Sequence, residues 1–292
     1  MNSKRTNSPY KGKAPGTLQF RNILYAKGDW KATVTINRPE VYNCLNLETL
    51  RELSAAFEDA AWDDEVAVLI ITGAGDKAFC TGADMKEWKE EFLDRPNDFY
   101  KWMGVFMETF ERLRNIGKPT IARLNGIVVG GGNELQMSCD LAVAAEGIYI
   151  GHAGTSRGSV AAAGATQWLP LIVGDRRARE MLLLNEKLPI KKALEWGLVN
   201  QVVPRKKLDK AVDVMAEKLV NKLPECTRYT KQQLNFWRDF SWSLTIGHLR
   251  DWLTVHTSAM EIQEGIKAFN EKREIDYKAL RRKVASAGKR KK

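Results

Sequence analysis

The feature that most constrains this chain is its longest clean apolar run, Val66 to Ile71, which Thr72 extends into VAVLIIT. Unbroken apolarity over a strand's length predicts a strand buried on both faces, as parallel strands under helices are, rather than one with a wet face. Lys31 to Ile36 (KATVTI) alternates and predicts a second strand, closed by Asn37-Arg38-Pro39. Asn46 then caps a helix whose apolar positions Leu47, Leu50, Leu53 and Phe57 follow helical spacing. After the Gly73-Ala74-Gly75 turn come an amphipathic helix over 99–116, a strand at Pro119 to Leu124, a helix at Asn133 to Ser138 and a strand at Asp140 to Ala144. Strand, turn, helix and strand repeat, which is the grammar of an α/β core. From Gly164 onward the signals are mainly helical, over 175–184, 189–196, 208–222, 226–237 and 243–270. The chain therefore divides into a basic N-terminal tail (1–18), an α/β core (19–204), a helical C-terminal region (205–280) and a second basic tail (281–292).

The formal net charge of +10 invites a nucleic-acid reading, but its distribution argues against a specific one. Residues 1–15 carry four Lys or Arg and no acid, and residues 281–292 carry seven and no acid. The tails thus account for the whole excess, and any polyanion binding through them would be nonspecific. No apolar run approaches the ~18 residues of a membrane span, and the first fifteen residues hold no apolar stretch of a secretory signal. Four cysteines, at 44, 80, 139 and 226, form no C-x-x-C pair, and three histidines add little to a metal site. No metal or separate cofactor is expected, and reduced thiols without a signal point to the cytoplasm.

Two loops on successive α/β units carry the chemistry. Lys77 to Asp84 (KAFCTGAD) follows the buried strand, where open α/β sheets place ligands, and Gly82 lets a backbone N–H approach one closely. Asn125 to Glu134 (NGIVVGGGNE) runs three glycines into a helix, whose first N–H groups and positive dipole end are free. One N–H from each loop can hold a carbonyl oxygen as it becomes an enolate. Glu134, in the first turn of that helix, is placed to exchange a proton with substrate or water. The alternatives are a plain strand-to-helix turn for the first loop, and an acidic cap with a packing glycine run for the second. A third stretch, Gly151 to Leu169, holds four glycines, five alanines and Arg157 as its one charge, which suits close approach of a ligand or of a subunit. His152 reads as a structural hydrogen-bonding residue and Cys80 as a small packed side chain. Trp237, Phe240, Trp242 and Trp252, at helical-type spacing, read as core or oligomer interface rather than as a base-stacking surface.

INRPEVYN, AFCTGADMKEW, NGIVVGGGNELQMSCDLAVAAE and ALEWGLVNQVVP, in this order over residues 20–282, resemble the crotonase (enoyl-CoA hydratase/isomerase) superfamily. The resemblance implies a ββα spiral, a helical C-terminal trimerisation region, a trimer or dimer of trimers, and an acyl-CoA thioester substrate whose coenzyme A is part of the substrate. It implies an oxyanion hole from the N–H groups of Ala83 and Gly131, with Ala83, Asp84, Met85 and Lys86 along the CoA and Glu134 as the catalytic carboxylate. The second glutamate of the typical hydratases falls at Gly154, which has no side chain to donate a proton.

A glycine at that place resembles the branch that makes or breaks carbon–carbon bonds beside a CoA thioester. In that branch GDKAFCTGADMKEW, GSVAAAGATQWLPLIVG, LPEC and AFNEKREIDYKALR are most similar to the hydrolases that open the ring of 6-oxocyclohex-1-ene-1-carbonyl-CoA. Three departures stand out. Ala161 occupies the position where the related synthases carry an aspartate, Ser156-Arg157 replaces a Lys-His pair of the hydrolases, and a segment after Pro204 is missing. Arg157 reads equally as a group that steers a ketone or carboxylate of the substrate and as half of a surface or interface ion pair. Competing expectations are an enoyl-CoA hydratase or isomerase and a silent acyl-CoA-binding protein; retention of Glu134 favours an enzyme.

Overall fold

The computed structural model describes residues 12–287. The tail segments 1–11 and 288–292 lie outside the described residues. Strands β1 (Ile23–Gly28) and β2 (Lys31–Ile36) form a hairpin, and Asn46 caps α1 (Leu47–Trp62) by accepting the Thr49 N–H. Such a cap stabilises a helix by about 1 kcal/mol. Then follow β3 (Val68–Gly73), β4 (Ala78–Cys80), α2 (Met85–Glu87) running into a π-helical turn (Trp88–Phe92), and α3 (Pro96–Arg114). The next two units are β5 (Thr120–Leu124), β6 (Ile127–Val129) and α4 (Gly131–Ser138), and β7 (Leu141–Ala145), β8 (Tyr149–Gly151) and α5 (Gly154–Arg157). α6 (Ala165–Val173), α7 (Asp175–Arg179), β9 (Leu188–Pro189), α8 (Ile190–Glu195) and β10 (Gln201–Val203) complete the core. α9 (Leu208–Val220), α10 (Pro224–Val255), α11 (Met260–Asn270) and α12 (Tyr277–Ala287) form the helical region.

The strands sort into two sheets: one of six in the order β1-β2-β3-β5-β7-β10, the other of four in the order β4-β6-β8-β9. β2, β3, β5, β7 and β10 run parallel, and only β1 pairs antiparallel in the large sheet. Each unit thus gives one strand to the large sheet, a short one to the small sheet, and then a helix: β3-β4-α2, β5-β6-α4 and β7-β8-α5. This is the ββα spiral the sequence resemblance implied. Every residue of β3 is buried, as its continuous apolarity predicts. Each such Val, Leu or Ile removed from water contributes about 1.5–3 kcal/mol.

Two long buried amides hold the reversal between the sheets. Asn125 accepts the Gly73 N–H through Oδ1 and donates through Nδ2 to the Gly75 and Ala78 carbonyls. Asn43 donates to the Ala74 and Ala78 carbonyls from the other side. The helical expectations over 226–237 and 243–270 resolve differently: α10 runs unbroken over Pro224–Val255, and the break falls at 256–259 before α11. No glycine or proline interrupts 238–242, so the long helix has no reason to end there. Residues 281–287, read as the start of the second tail, continue α12. On α10, Trp242 is buried and stacks on Trp168 at 5.1 Å, whereas Trp237 and Phe240 stay exposed in the single chain. No helix among the described residues is long and apolar enough to cross a membrane.

Candidate active site

The two glycine-bearing loops meet. Gly82 has φ +88°, and a Cβ there would lie 2.8 Å from Gly131 N, so only glycine allows both the conformation and the approach. A Cβ on Gly132 would collide with the Cys80 carbonyl, which fixes the start of α4 against β4. Ala83 forms a bridge with Leu45: Leu45 N donates to Gly82 O at 2.7 Å, and Asp84 N donates to Leu45 O at 3.0 Å. Across a trans peptide the N–H points opposite the C=O, so the Ala83 N–H faces away from Leu45. Neither it nor the Gly131 N–H at the start of α4 has an acceptor among the described residues. Two such donors on touching loops, one at a helix N-terminus, suit an oxyanion.

Asp84 caps α2 by accepting the Lys86 and Glu87 N–H groups and forms an ion pair with Arg38 at 2.9 Å. Burial works against its charge, but the Arg38 guanidinium and the Glu87 N–H hold its carboxyl below the usual range. Its carboxylate therefore secures the loop. Arg38 also donates to the Cys44 carbonyl at 2.8 Å, tying the turn after β2 to the same loop. Glu87 accepts from the Leu47 N–H and from Trp102 Nε1 at 3.0 Å; burial raises its carboxyl above the ordinary value. Met85 is anchored through its carbonyl by Asn270 of α11 at 3.1 Å. Lys86 is exposed, with its Nζ 4.0 Å from Glu90.

Glu134 is buried in the first turn of α4. Its Oε1 accepts the Ala162 N–H at 2.6 Å, and Oε2 takes no hydrogen bond among the described residues. Burial pushes its carboxyl well above the usual range, and the Ala162 N–H pulls partly back. Ala163, which follows, is fully buried with φ +36°. A non-glycine residue in that region costs on the order of 1–3 kcal/mol and tends to mark a functional turn. Gly154 opens α5 beside this segment: a Cβ on it would lie 3.1 Å from Ser159 O and 3.3 Å from Ala161 N. Arg157 ends α5, half-buried, and forms no ion pair among the described residues. Of the residues singled out from sequence, Ala83 and Asp84 sit on the loop that Gly82 seats against Gly131, Glu134 follows in the first turn of the helix that Gly131 opens, and Gly154 lies beside the strip that reaches Glu134 through Ala162.

Asn133 Nδ2 donates to His152 Nε2 at 2.8 Å, and burial pushes the histidine's pKa down to about 4, so it is a neutral structural side chain. Cys80 is fully buried with its thiol pushed up to about 12 by burial, which suits packing rather than nucleophilic attack. Arg38, Glu87 and Ala162 were not found by sequence reasoning. Their roles depend on contacts between segments far apart in the chain, which no local motif displays.

A family model for enoyl-CoA hydratase/isomerase matches residues 31–280. The chain belongs to the crotonase family. A curated 6-oxocyclohex-1-ene-1-carbonyl-CoA hydrolase from Geobacter metallireducens is 29% identical, over 89% of this chain and 82% of that protein. A short-chain-enoyl-CoA hydratase from Clostridium acetobutylicum is 32% identical, over 89% of this chain and 98% of that protein. The crystal structure of an enoyl-CoA hydratase from Mycobacterium avium subsp. paratuberculosis superposes with a TM-score of 0.80 at 27% identity, covering 88% of this chain and 99% of its own. The ββα spiral, with its helical C-terminal region, is thus the crotonase fold, and the chain is an enzyme of this family.

Proposed function

We propose that this crotonase hydrates and hydrolytically opens a cyclic 3-oxoacyl-CoA of the 6-oxocyclohex-1-ene-1-carbonyl-CoA type. The observation that carries this reading is the single carboxylate. Gly154, packed against Ser159 O and Ala161 N, offers no proton donor opposite Glu134. Two-glutamate chemistry then lacks its second acid, so both the water addition and the ring opening run on one base and a stabilised enolate. The Ala83 and Gly131 N–H groups receive the thioester oxygen. Glu134 Oε2 takes a proton from water, whose oxygen adds to the ring alkene; the α-carbon then recovers a proton. A second water, deprotonated by the same carboxylate, attacks the ring ketone. The ring carbon–carbon bond breaks, its electron pair passes into the thioester enolate under the same two N–H groups, and Glu134 returns the proton to the α-carbon. Arg157 steers the ketone and the new carboxylate.

Ala83, Asp84, Met85 and Lys86 flank the CoA portion, and no further cofactor is needed. The exposed aromatic face of α10, with Trp237 64% and Phe236 58% accessible, supports assembly into a trimer or dimer of trimers. Free thiols at all four cysteines suit a cytoplasmic enzyme. A second reading, an enoyl-CoA hydratase working with Glu134 alone, is favoured by the somewhat higher identity to the Clostridium hydratase.

Incubation with 6-oxocyclohex-1-ene-1-carbonyl-CoA, followed by product mass, separates these. Gain of two waters establishes hydration with ring opening. Gain of one water with the dicarbonyl retained makes the enzyme a hydratase on this substrate. No mass change, with turnover of linear enoyl-CoAs, overturns the ring-opening reading.

A further inference from the structure

The Ala83 loop is held from the side of β2 and α1 by the Arg38–Asp84 ion pair, the Leu45 bridge and the Leu47 N–H on Glu87. It then enters α2 (Met85–Glu87), a single turn too short to be stable by its own hydrogen bonds. A side chain from the helical C-terminal region meets it there. Asn270, the last residue of α11, donates Nδ2 to the Met85 carbonyl at 3.1 Å and to the Ile266 carbonyl, one turn back in its own helix, at 2.9 Å. Both hydrogens of the amide are thereby used, one tying it to α11 and the other to the loop.

α11 is itself firmly seated, so Asn270 hangs from a fixed support. Its Ile262 and Ile266 are buried against Trp88, Phe92 and Phe99, and Gln263 Nε2 donates to Asp94 Oδ1 at 2.7 Å. Beyond the loop it also touches the strip after Gly154: a Cβ on Gly265 would lie 2.3 Å from the Arg157 carbonyl carbon, and one on Gly158 would lie 2.8 Å from Ile262 Cα. The Tyr277 hydroxyl of α12 donates to the Ser156 carbonyl of the same strip at 3.1 Å. We propose that Asn270 is a positioning residue for the oxyanion hole. By fixing the Met85 carbonyl it fixes the α2 turn, and with it the direction of the Ala83 N–H two residues earlier. A donor lowers a barrier only when aimed at the place where charge develops, and a shift of about 1 Å is costly. This rests on the oxyanion reading above.

The test is the carbonyl stretch of butyryl-CoA, labelled with carbon-13 at the thioester carbon, read by infrared difference spectroscopy on the full-length protein. In the wild type the two N–H donors lower that frequency below its value in water. Asn270→Ala loses about half of the lowering, since one of two donors is misdirected. Asn270→Asp, of the same size but without the donor, gives the same loss, so either variant decides if the other folds poorly. Tyr277→Phe cuts a tie to the strip that carries no oxyanion donor and keeps the full lowering. The signal comes only from thioester bound to folded protein, so a smaller folded fraction does not imitate the loss. Full lowering in either Asn270 variant overturns the inference while the oxyanion reading stands, and so does an equal loss in Tyr277→Phe. No lowering in the wild type, or no binding of the thioester, overturns both.

Discussion

The two walls of the site are built on different principles. On one side, the 82–84 loop and the start of α4 are clamped by glycine contacts, an ion pair and a helix cap, with the Ala83 and Gly131 N–H groups left over. On the other, residues 153–164 supply small side chains, one backbone N–H to Glu134 and a single charged group, Arg157. The first wall is preorganised for charge on an oxygen. The second brings small side chains and backbone close together and offers little side-chain chemistry. The same burial acts oppositely on two titratable groups: it raises Glu134, the proposed base, and lowers His152, which stays neutral. On the proposed reading, the chemistry hangs on one carboxylate and two amides.

The largest expected effect comes from that carboxylate. Glu134→Gln keeps the shape and can still accept the Ala162 N–H, and should lower kcat by about 10²–10⁴-fold with the dissociation constant for a CoA thioester little changed. It should also raise thermal stability at neutral pH. The folded protein holds the Glu134 proton more tightly than the unfolded chain, so wild-type stability declines as pH rises above the ordinary glutamate value, and glutamine escapes that decline. Next, Gly82→Val forces a side chain into a φ of +88° and against Gly131 N. Displacing one oxyanion donor should cost about 10²–10³-fold in kcat. Both are read by steady-state kinetics beside equilibrium binding.

The second wall gives smaller effects. Gly154→Glu should not create a two-carboxylate hydratase, because its Cβ crowds Ser159 O and Ala161 N. The expected result is about 1–3 kcal/mol of lost stability by denaturant unfolding, with no gain in hydration of linear enoyl-CoAs. Smallest of all, alkylation of the native enzyme at neutral pH should label exposed Cys226, spare Cys80 and leave activity unchanged, as peptide mass mapping would show.

Much of this was legible in the chain. Long apolar or alternating runs such as VAVLIIT and KATVTI marked β3 and β2, because their period outlasts local noise. β4, β6 and β8 have three residues each, too few to display a period, so the small sheet stayed hidden inside what read as loops. The β1–β2 hairpin was missed because its turn, Asp29-Trp30, takes positive φ without a glycine. In the site, the glycine run and Glu134 were visible as a motif. The Arg38–Asp84 pair and the Ala162 N–H were not, since each joins segments that only folding brings together.

The claim that one buried carboxylate runs the chemistry is tested most directly by the pH dependence of kcat/KM on a substrate the enzyme turns over. A base must be ionised to act, and burial raises Glu134, so kcat/KM should climb with pH through a single ionisation well above the ordinary glutamate range. The residual activity of Glu134→Gln should lack that limb. An acid limb at the ordinary glutamate value, or one that persists unchanged in Glu134→Gln, would place the base elsewhere and contradict the account.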